Sequence, residues 1–281
     1  MGKTDLLRVQ DVRDAYRLIG ECRDLGGDPA LWQRRMLEGA CRLFGARVAT
    51  GGEGRWIRPH RSVEVVSAFD AGFDPSGREL FMAYHRELGP RGDPIFCALQ
   101  RVPGRLVTRT RRQLVSDADW YRSAACEYRR PLGMDEELTS VHQVADDGAI
   151  SVIALARAAR EPEFSPREQR LVTFFHEELG RLIGRALVSA TEPSPDKLSP
   201  RLRQTLAFLL EGDSEKQVAA RLSLSRATTH QHVTALYRHF RVQSRAQLSA
   251  NAFKRSGRGL WTGLPLHSAQ QQGAPSSRPR R

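Results

Sequence analysis

The sequence predicts an α+β N-terminal domain followed by a small all-α domain of four helices. Three observations carry that expectation. Helical and strand periodicities alternate from Leu6 to Ala156 and close with one long amphipathic stretch. Four short helices, each opened by a serine, then crowd into residues 198–253. Between them Thr191–Asp196 holds two prolines and no apolar residue, as a linker would. A length of 281 residues accommodates one large domain or two ordinary ones.

Charge divides at the same place. Residues 195–281 carry 15 Lys and Arg against 4 Asp and Glu, while residues 1–194 carry 29 against 28. From Lys216 to Arg281 there is no acidic residue. A neutral body with a basic end implies a polyanionic partner for that end. Arg outnumbers Lys 40 to 4, a bias that explains which cation is used but not where the acids stop. Cys22, Cys41, Cys97 and Cys126 lie far apart with no C-x-x-C, so free thiols in a reducing compartment are expected. No stretch approaches the roughly 20 apolar residues of a membrane span. Met1–Asp14 also lacks the apolar run of a signal peptide. The expectation is a cytoplasmic protein with no membrane partner.

The elements follow in order. Leu6–Arg23 has helical spacing, and Pro29–Phe44 sets Leu31, Met36, Leu37, Ala40 and Leu43 on one side of a second helix. Arg47–Thr50 reads as a short strand closed by a Gly51-Gly52-Glu53-Gly54 turn. Ser62–Phe69 is β-branched and reads as a strand, Gly77–Arg86 as a helix, Ile95–Leu99 as a strand and Asp117–Arg129 as a short helix. Leu138–Ala145 and Ala149–Ala156 form a hairpin across Asp146-Asp147-Gly148, because Asp-Gly tolerates the positive φ of a tight turn. Ser165-Pro166-Arg167-Glu168 supplies an N-cap, a first-turn proline and a capping box for a helix running to Leu187. That helix's apolar face either covers the sheet or pairs with a second copy. Helices, about five strands and a closing helix resemble the architecture of GAF or PAS sensory domains. The implied division is a sensory or interaction domain at 1–190, a linker at 191–197, a DNA-binding domain at 198–255 and a disordered basic tail at 256–281 anchored only by Trp261.

The last helices are marked by Ser199 before Pro200, Ser214 with Gln217, Ser225 before Arg226–Phe240, and Ser244 with Gln247. Gly212 sits where a left-handed cap is expected. The string reads Leu198-Ser199-Pro200-Arg201, Leu209-Leu210-Glu211-Gly212, Ser214-Glu215-Lys216-Gln217-Val218-Ala219, Leu222-Ser223-Leu224-Ser225-Arg226-Ala227-Thr228-Thr229-His230-Gln231-His232-Val233 and Val242-Gln243-Ser244-Arg245-Ala246. It resembles the LuxR/GerE type of helix-turn-helix regulator over about a fifth of the chain. Leu202, Thr229, His230 and Arg241 stand where that family usually has Glu, Val, Lys and Gly. On a helical wheel, Thr229, Val233, Leu236 and Phe240 share the packed side of the third helix. Ala227, His230, Gln231 and Thr234 are the expected base readers, since Gln pairs with adenine and Ala or Thr methyls meet thymine. Lys216, Ser225, Arg226, Thr228, Arg238 and Arg245 are the expected phosphate contacts. The resemblance implies double-stranded DNA as partner, a homodimer on DNA through the last helix with Leu248 as its apolar contact, and RNA polymerase as a further partner.

Enzyme signatures are missing: there is no P-loop, G-x-G-x-x-G or G-x-S-x-G, and His176-Glu177-Glu178 lacks the second histidine of a zinc protease. His230 and His232 are two apart on a helix and point to different sides. His142 reads as a packed or surface histidine in a strand. No catalysis, cofactor or metal is expected. Some members of the resembled family bind an acyl-homoserine lactone through a Trp, a Tyr four residues on and an Asp nine beyond. Tyr84 and Asp93 keep that spacing, with Leu80 in place of Trp. Trp56, Trp120 and Tyr121 line a pocket or pack in the core. Residues 1–120 do not supply the acidic pattern of a phosphate-accepting response regulator. The reading is a one-component transcriptional regulator that senses an unknown small-molecule or protein signal. The alternative is a signalling adaptor whose basic end binds an acidic partner.

Overall fold

The computed structural model describes residues 5–57 and 62–256. Contacts divide the chain into two compact units, Met1–Glu192 and Pro193–Arg281.

The first unit opens with α1 (Val9–Asp24) and α2 (Pro29–Phe44). Asp28 caps α2 by accepting from Ala30 N at 2.7 Å, Pro29 occupies its first turn, and Gly45 ends it at φ 58. Strands β1 (Val48–Ile57) and β2 (Ser62–Ala71) follow, then α3 (Pro75–Glu87), α4 (Gly89–Gly92) and α5 (Pro94–Leu99). The chain continues through β3 (Leu106–Thr110), α6 (Arg111–Leu114), α7 (Asp117–Tyr121), α8 (Ala124–Arg129), β4 (Glu136–Gln143), β5 (Ala149–Arg157) and α9 (Pro166–Gly180). The strands form one antiparallel sheet in the order β2-β1-β5-β4-β3. Each strand alternates its side chains between two faces. On β5, Ile153 and Leu155 join the core under α1, α2 and α9, while Ile150 and Ala156 join the core under α3 to α8. The unit is therefore a sheet clad in helices on both sides.

Four expectations need correction. The glycine run is no turn: β1 continues through it, paired on both sides with β2 and β5. A Cβ on Gly52 would lie 2.0 Å from Ser67 O, and one on Gly51 would lie 2.4 Å from Val152 O. The register shifts between Glu53 and Gly54, so these glycines permit a bulge and a close backbone approach. Ile95–Leu99 lies in α5, because Asp93 caps it through Ile95 N at 2.8 Å with Pro94 in the first turn. The missing strand is β3. Asp117–Arg129 is two helices, since Ser123 caps a second start by accepting from Cys126 N at 3.2 Å. The closing helix stops at Gly180, where a Cβ would stand 2.2 Å from His142 Nδ1. Ile183 and Leu187 still bury in the same core, which keeps the apolar pattern running past the helix.

The second unit holds a 3-10 turn at Pro195–Lys197, then α10 (Pro200–Glu211), α11 (Glu215–Leu222), α12 (Arg226–Phe240) and α13 (Arg245–Ser256). Its core includes Leu206, Leu209, Val218, Val233, Leu236 and Phe240. Residues 257–281, with Trp261 and the expected tail, lie outside the described residues. Among the described residues no helix is long and apolar enough to cross a membrane.

Candidate nucleic-acid interface and candidate ligand cavity

The helical unit is built from local caps. Ser214 N donates to Gln217 Oε1 at 2.8 Å and opens α11. Ser223 turns the chain at φ 54, a left-handed conformation, and Ser225 Oγ accepts from Thr228 N at 3.0 Å to open α12. This short turn sets α11 against α12. Thr229, Val233, Leu236 and Phe240 are buried, as their spacing requires, and Thr229 Oγ1 donates to Ser225 O at 3.1 Å. Ala227, His230, Gln231, Thr234 and Arg238 are exposed on the outer side of the same helix.

The expected phosphate contacts divide. Among the described residues no carboxylate pairs with Lys216, Arg226 or Arg238, which are all exposed. The nearby acids are occupied elsewhere. Arg221 Nη1 donates to Glu211 at 2.8 Å and to Asp213 at 2.6 Å, while its guanidinium lies 3.8 Å from the Phe208 ring centre. Glu215 Oε2 stands 3.2 Å from His230 Nδ1. Ser225 and Thr228 hydroxyls lie 2.9 Å apart and close the cap together. Arg245 Nη2 donates to Leu209 O at 2.6 Å, tying α13 to the end of α10. Leu248, expected as a pairing contact, is fully buried in the domain's own core. A side chain in that position offers no surface to a partner, so that expectation is corrected.

The other candidate site is a cavity of about 120 Å³ in the first unit, between the sheet and the helices α3, α4, α5 and α8. Its floor is the sheet, where Gly52 and Gly54 carry no side chain and Val152 and Ala154 carry small ones. Phe96 forms part of the wall, stacked 5.9 Å from Trp56. One end is polar. Tyr84 Oη donates to Asp93 Oδ2 at 2.6 Å, and Arg129 Nη1 donates to the same oxygen at 2.9 Å. Arg129 Nη2 pairs with Glu137, which also accepts from Thr139 Oγ1. The guanidinium lies 5.8 Å from the Tyr84 ring centre and 5.6 Å from that of Trp120. Burial, reinforced by the Asp93 charge, holds the Tyr84 phenol well above its ordinary pKa. Burial lowers that of His85.

The Tyr84–Asp93 spacing thus corresponds to a real contact at the cavity. Leu80 does not line it. Trp56, Trp120 and Tyr121 do not line it either: Trp120 is in the core, Trp56 packs against it, and Tyr121 is exposed. Trp120 is fully buried and donates through Nε1 to Asp135 at 3.2 Å, and Tyr121 Oη donates to the same carboxylate at 3.0 Å.

Residues 196–252 match the family described as bacterial regulatory proteins, luxR family. This segment is a luxR-family domain. No curated protein matches the chain in sequence. Several solved structures are loosely similar to the chain. SdiA in complex with octanoyl-rac-glycerol is 14% identical, covering 90% of this chain and 96% of that one at a TM-score of 0.40. Escherichia coli SdiA in another crystal form is 14% identical over 89% and 91%, at 0.37. CepR2 from Burkholderia cenocepacia, described as an N-acylhomoserine lactone dependent LuxR family transcription factor, is 17% identical over 62% and 96%, at 0.44. Likeness this loose transfers neither ligand nor activity.

Sequence reasoning missed Arg221 in the luxR-family domain, and Arg129 and Glu137 at the cavity. Arg221 had a readable cue, the acids Glu211 and Asp213 around the preceding helix end. Arg129 and Glu137 meet only through the fold, one on α8 and one on β4.

Proposed function

We propose that the protein is a sequence-specific DNA-binding transcriptional regulator of the one-component kind. Residues 1–190 sense a signal, residues 191–197 connect, and residues 198–255 read duplex DNA. One observation carries the reading. The outer side of α12 offers Gln231, Thr234, Ala227 and His230 at its surface, while Lys216, Arg226 and Arg238 keep their charge unspent. Such a helix combines base-edge readers with phosphate contacts. Arg245 holds the domain together in this scheme, with any phosphate contact made by its remaining N–H groups. A short reading helix covers few base pairs, so the protein acts as a homodimer on two half-sites about one helical turn apart. Leu248 being internal, pairing falls to the outward residues Ala246, Ser249 and Ala250 of α13.

The experiment is selection of duplexes from a random pool by the full chain, followed by footprinting and titration at several salt concentrations. A shared motif, two protected half-sites and a log affinity that falls steeply with log salt are expected. Affinity indifferent to sequence and salt refutes the reading.

A further inference from the structure

We propose that the cavity of the first unit binds a small organic cation, a primary amine on a compact apolar body. This deepens the reading of residues 1–190 as a sensing domain and rests on it.

The argument is one of charge. The ionisable side chains facing the cavity are Arg129 from α8, Glu137 from β4, Asp93 at the start of α5, and His85 from α3. Glu53 of β1 borders it only through its backbone. Its carboxylate turns to the opposite face, accepting from Gln33 Nε2 at 2.6 Å, from Ala190 N at 3.0 Å and from Ser189 Oγ. One guanidinium therefore serves two carboxylates, and His85 adds no charge when burial keeps it neutral. Arg129 is only 4% exposed and fixed between two aromatic rings, so it cannot swing away to change the balance. With both carboxylates ionised, one negative charge is left over in a largely apolar chamber, an arrangement that is costly unless something positive arrives.

The hydrogen bonding gives the location. Asp93 is saturated: Oδ2 accepts from Tyr84 and Arg129, and Oδ1 from Ile95 N and Phe96 N. Glu137 accepts from Thr139 and pairs with Arg129, which leaves lone pairs to spare, since a carboxylate offers about four acceptor sites. An ammonium beside Glu137 would supply N–H donors and the missing charge together, in a cavity that the Phe81 and Tyr84 rings also line. A neutral amide supplies one N–H and leaves the charge standing. A carboxylate doubles it. The room is that of one small ring: at about 120 Å³ the cavity is a little below the ~150 Å³ that takes up benzene.

The test is calorimetry on the full chain at neutral pH with phenethylamine, 2-phenylethanol and phenylacetate, three bodies of similar size with a positive, neutral or negative head. Phenethylamine binds about tenfold or more tightly than the alcohol, as a charge-assisted hydrogen bond implies, and phenylacetate does not bind. Glu137→Gln removes that advantage, so that amine and alcohol bind alike. Val152→Phe, which fills the floor, weakens the amine. The ligand series on the unaltered protein stands even if either variant unfolds. Tighter binding of the alcohol, or of an N-acyl homoserine lactone, than of the amine overturns the cation assignment and leaves the sensing reading intact. Amine binding unaffected by Val152→Phe in a folded protein also overturns it, by placing the amine elsewhere. If neither the amine nor any other probe binds, the cation assignment falls, while the sensing reading, which is not tied to these four molecules, stands.

Discussion

The two units use the same cation in opposite ways. In the first, arginines are spent on carboxylates: Arg129 on Asp93 and Glu137, Arg111 on Asp117 and Glu136, Arg157 on Glu168 at 2.6 Å. Arg111 and Arg129 are buried, and so are Glu136, Asp93 and Glu137, while Asp117 reaches in from the surface. In the second, Lys216, Arg226 and Arg238 face solvent, and among the described residues no carboxylate pairs with them. The near-neutral first unit is therefore full of charge that holds it together, and the basic second unit displays charge for something outside. A basic composition says little about function until the acids are located.

The sharpest way to break this contrast is to remove one cation from each side. Arg129→Ala strands two buried carboxylates and should cost about 3–5 kcal/mol in urea unfolding. Arg238→Ala should stay within about 0.5 kcal/mol. Similar losses from both would mean that the buried cluster is not structural. Within the second unit, Gln231→Ala should cost about 1–3 kcal/mol at one base position and alter sequence preference. Lys216→Ala should weaken all sites alike and lower the salt slope by about one. Binding measured across a library of sites separates the two patterns, and a uniform shift from both variants would cancel the distinction between reader and holder.

The smallest effect is one of pH on the first unit. His176 is fully buried, with Nδ1 2.8 Å from Ser140 Oγ, and its pKa is held well below the ordinary histidine value by burial and by His142. The folded protein keeps it neutral, while the unfolded chain takes up a proton below about pH 6.5. Its contribution is thus complete above that pH and is lost as pH falls, by up to about 1.4 kcal/mol per pH unit. His176→Gln should flatten the slope of urea stability between neutral pH and pH 5; an unchanged slope would assign it to other groups.

What could be read in advance follows the range of the interactions. Ser199, Ser214, Ser225 and Ser244 each announce a helix because a cap needs only the next three residues. The buried side of α12 was equally legible, since Thr229 to Phe240 obey a single period. Leu248 shows the limit: periodicity identifies an apolar side but not whether the domain itself or a partner covers it. Ile95–Leu99 reads as a strand until one sees that the preceding Asp93-Pro94 can start a helix. The glycines of β1 mark a break by local rules, and only the neighbouring backbones of β2 and β5 turn them into a strand. Tyr84 and Asp93 can be paired only because the resembled family has a Tyr and an Asp at that spacing; no such pattern points to Arg129 and Glu137, which the fold brings together from α8 and β4.

Those glycines also bear on how the cavity can evolve. At Gly52 and Gly54 any side chain would strike a carbonyl of the neighbouring strand, at 2.0 Å and 2.7 Å, so neither position can drift without moving the sheet itself. The floor is frozen while the helical roof over it is held by side chains alone. Descendants of this protein that came to answer different molecules would therefore carry their differences in α3, α5 and α8, above an almost invariant strand.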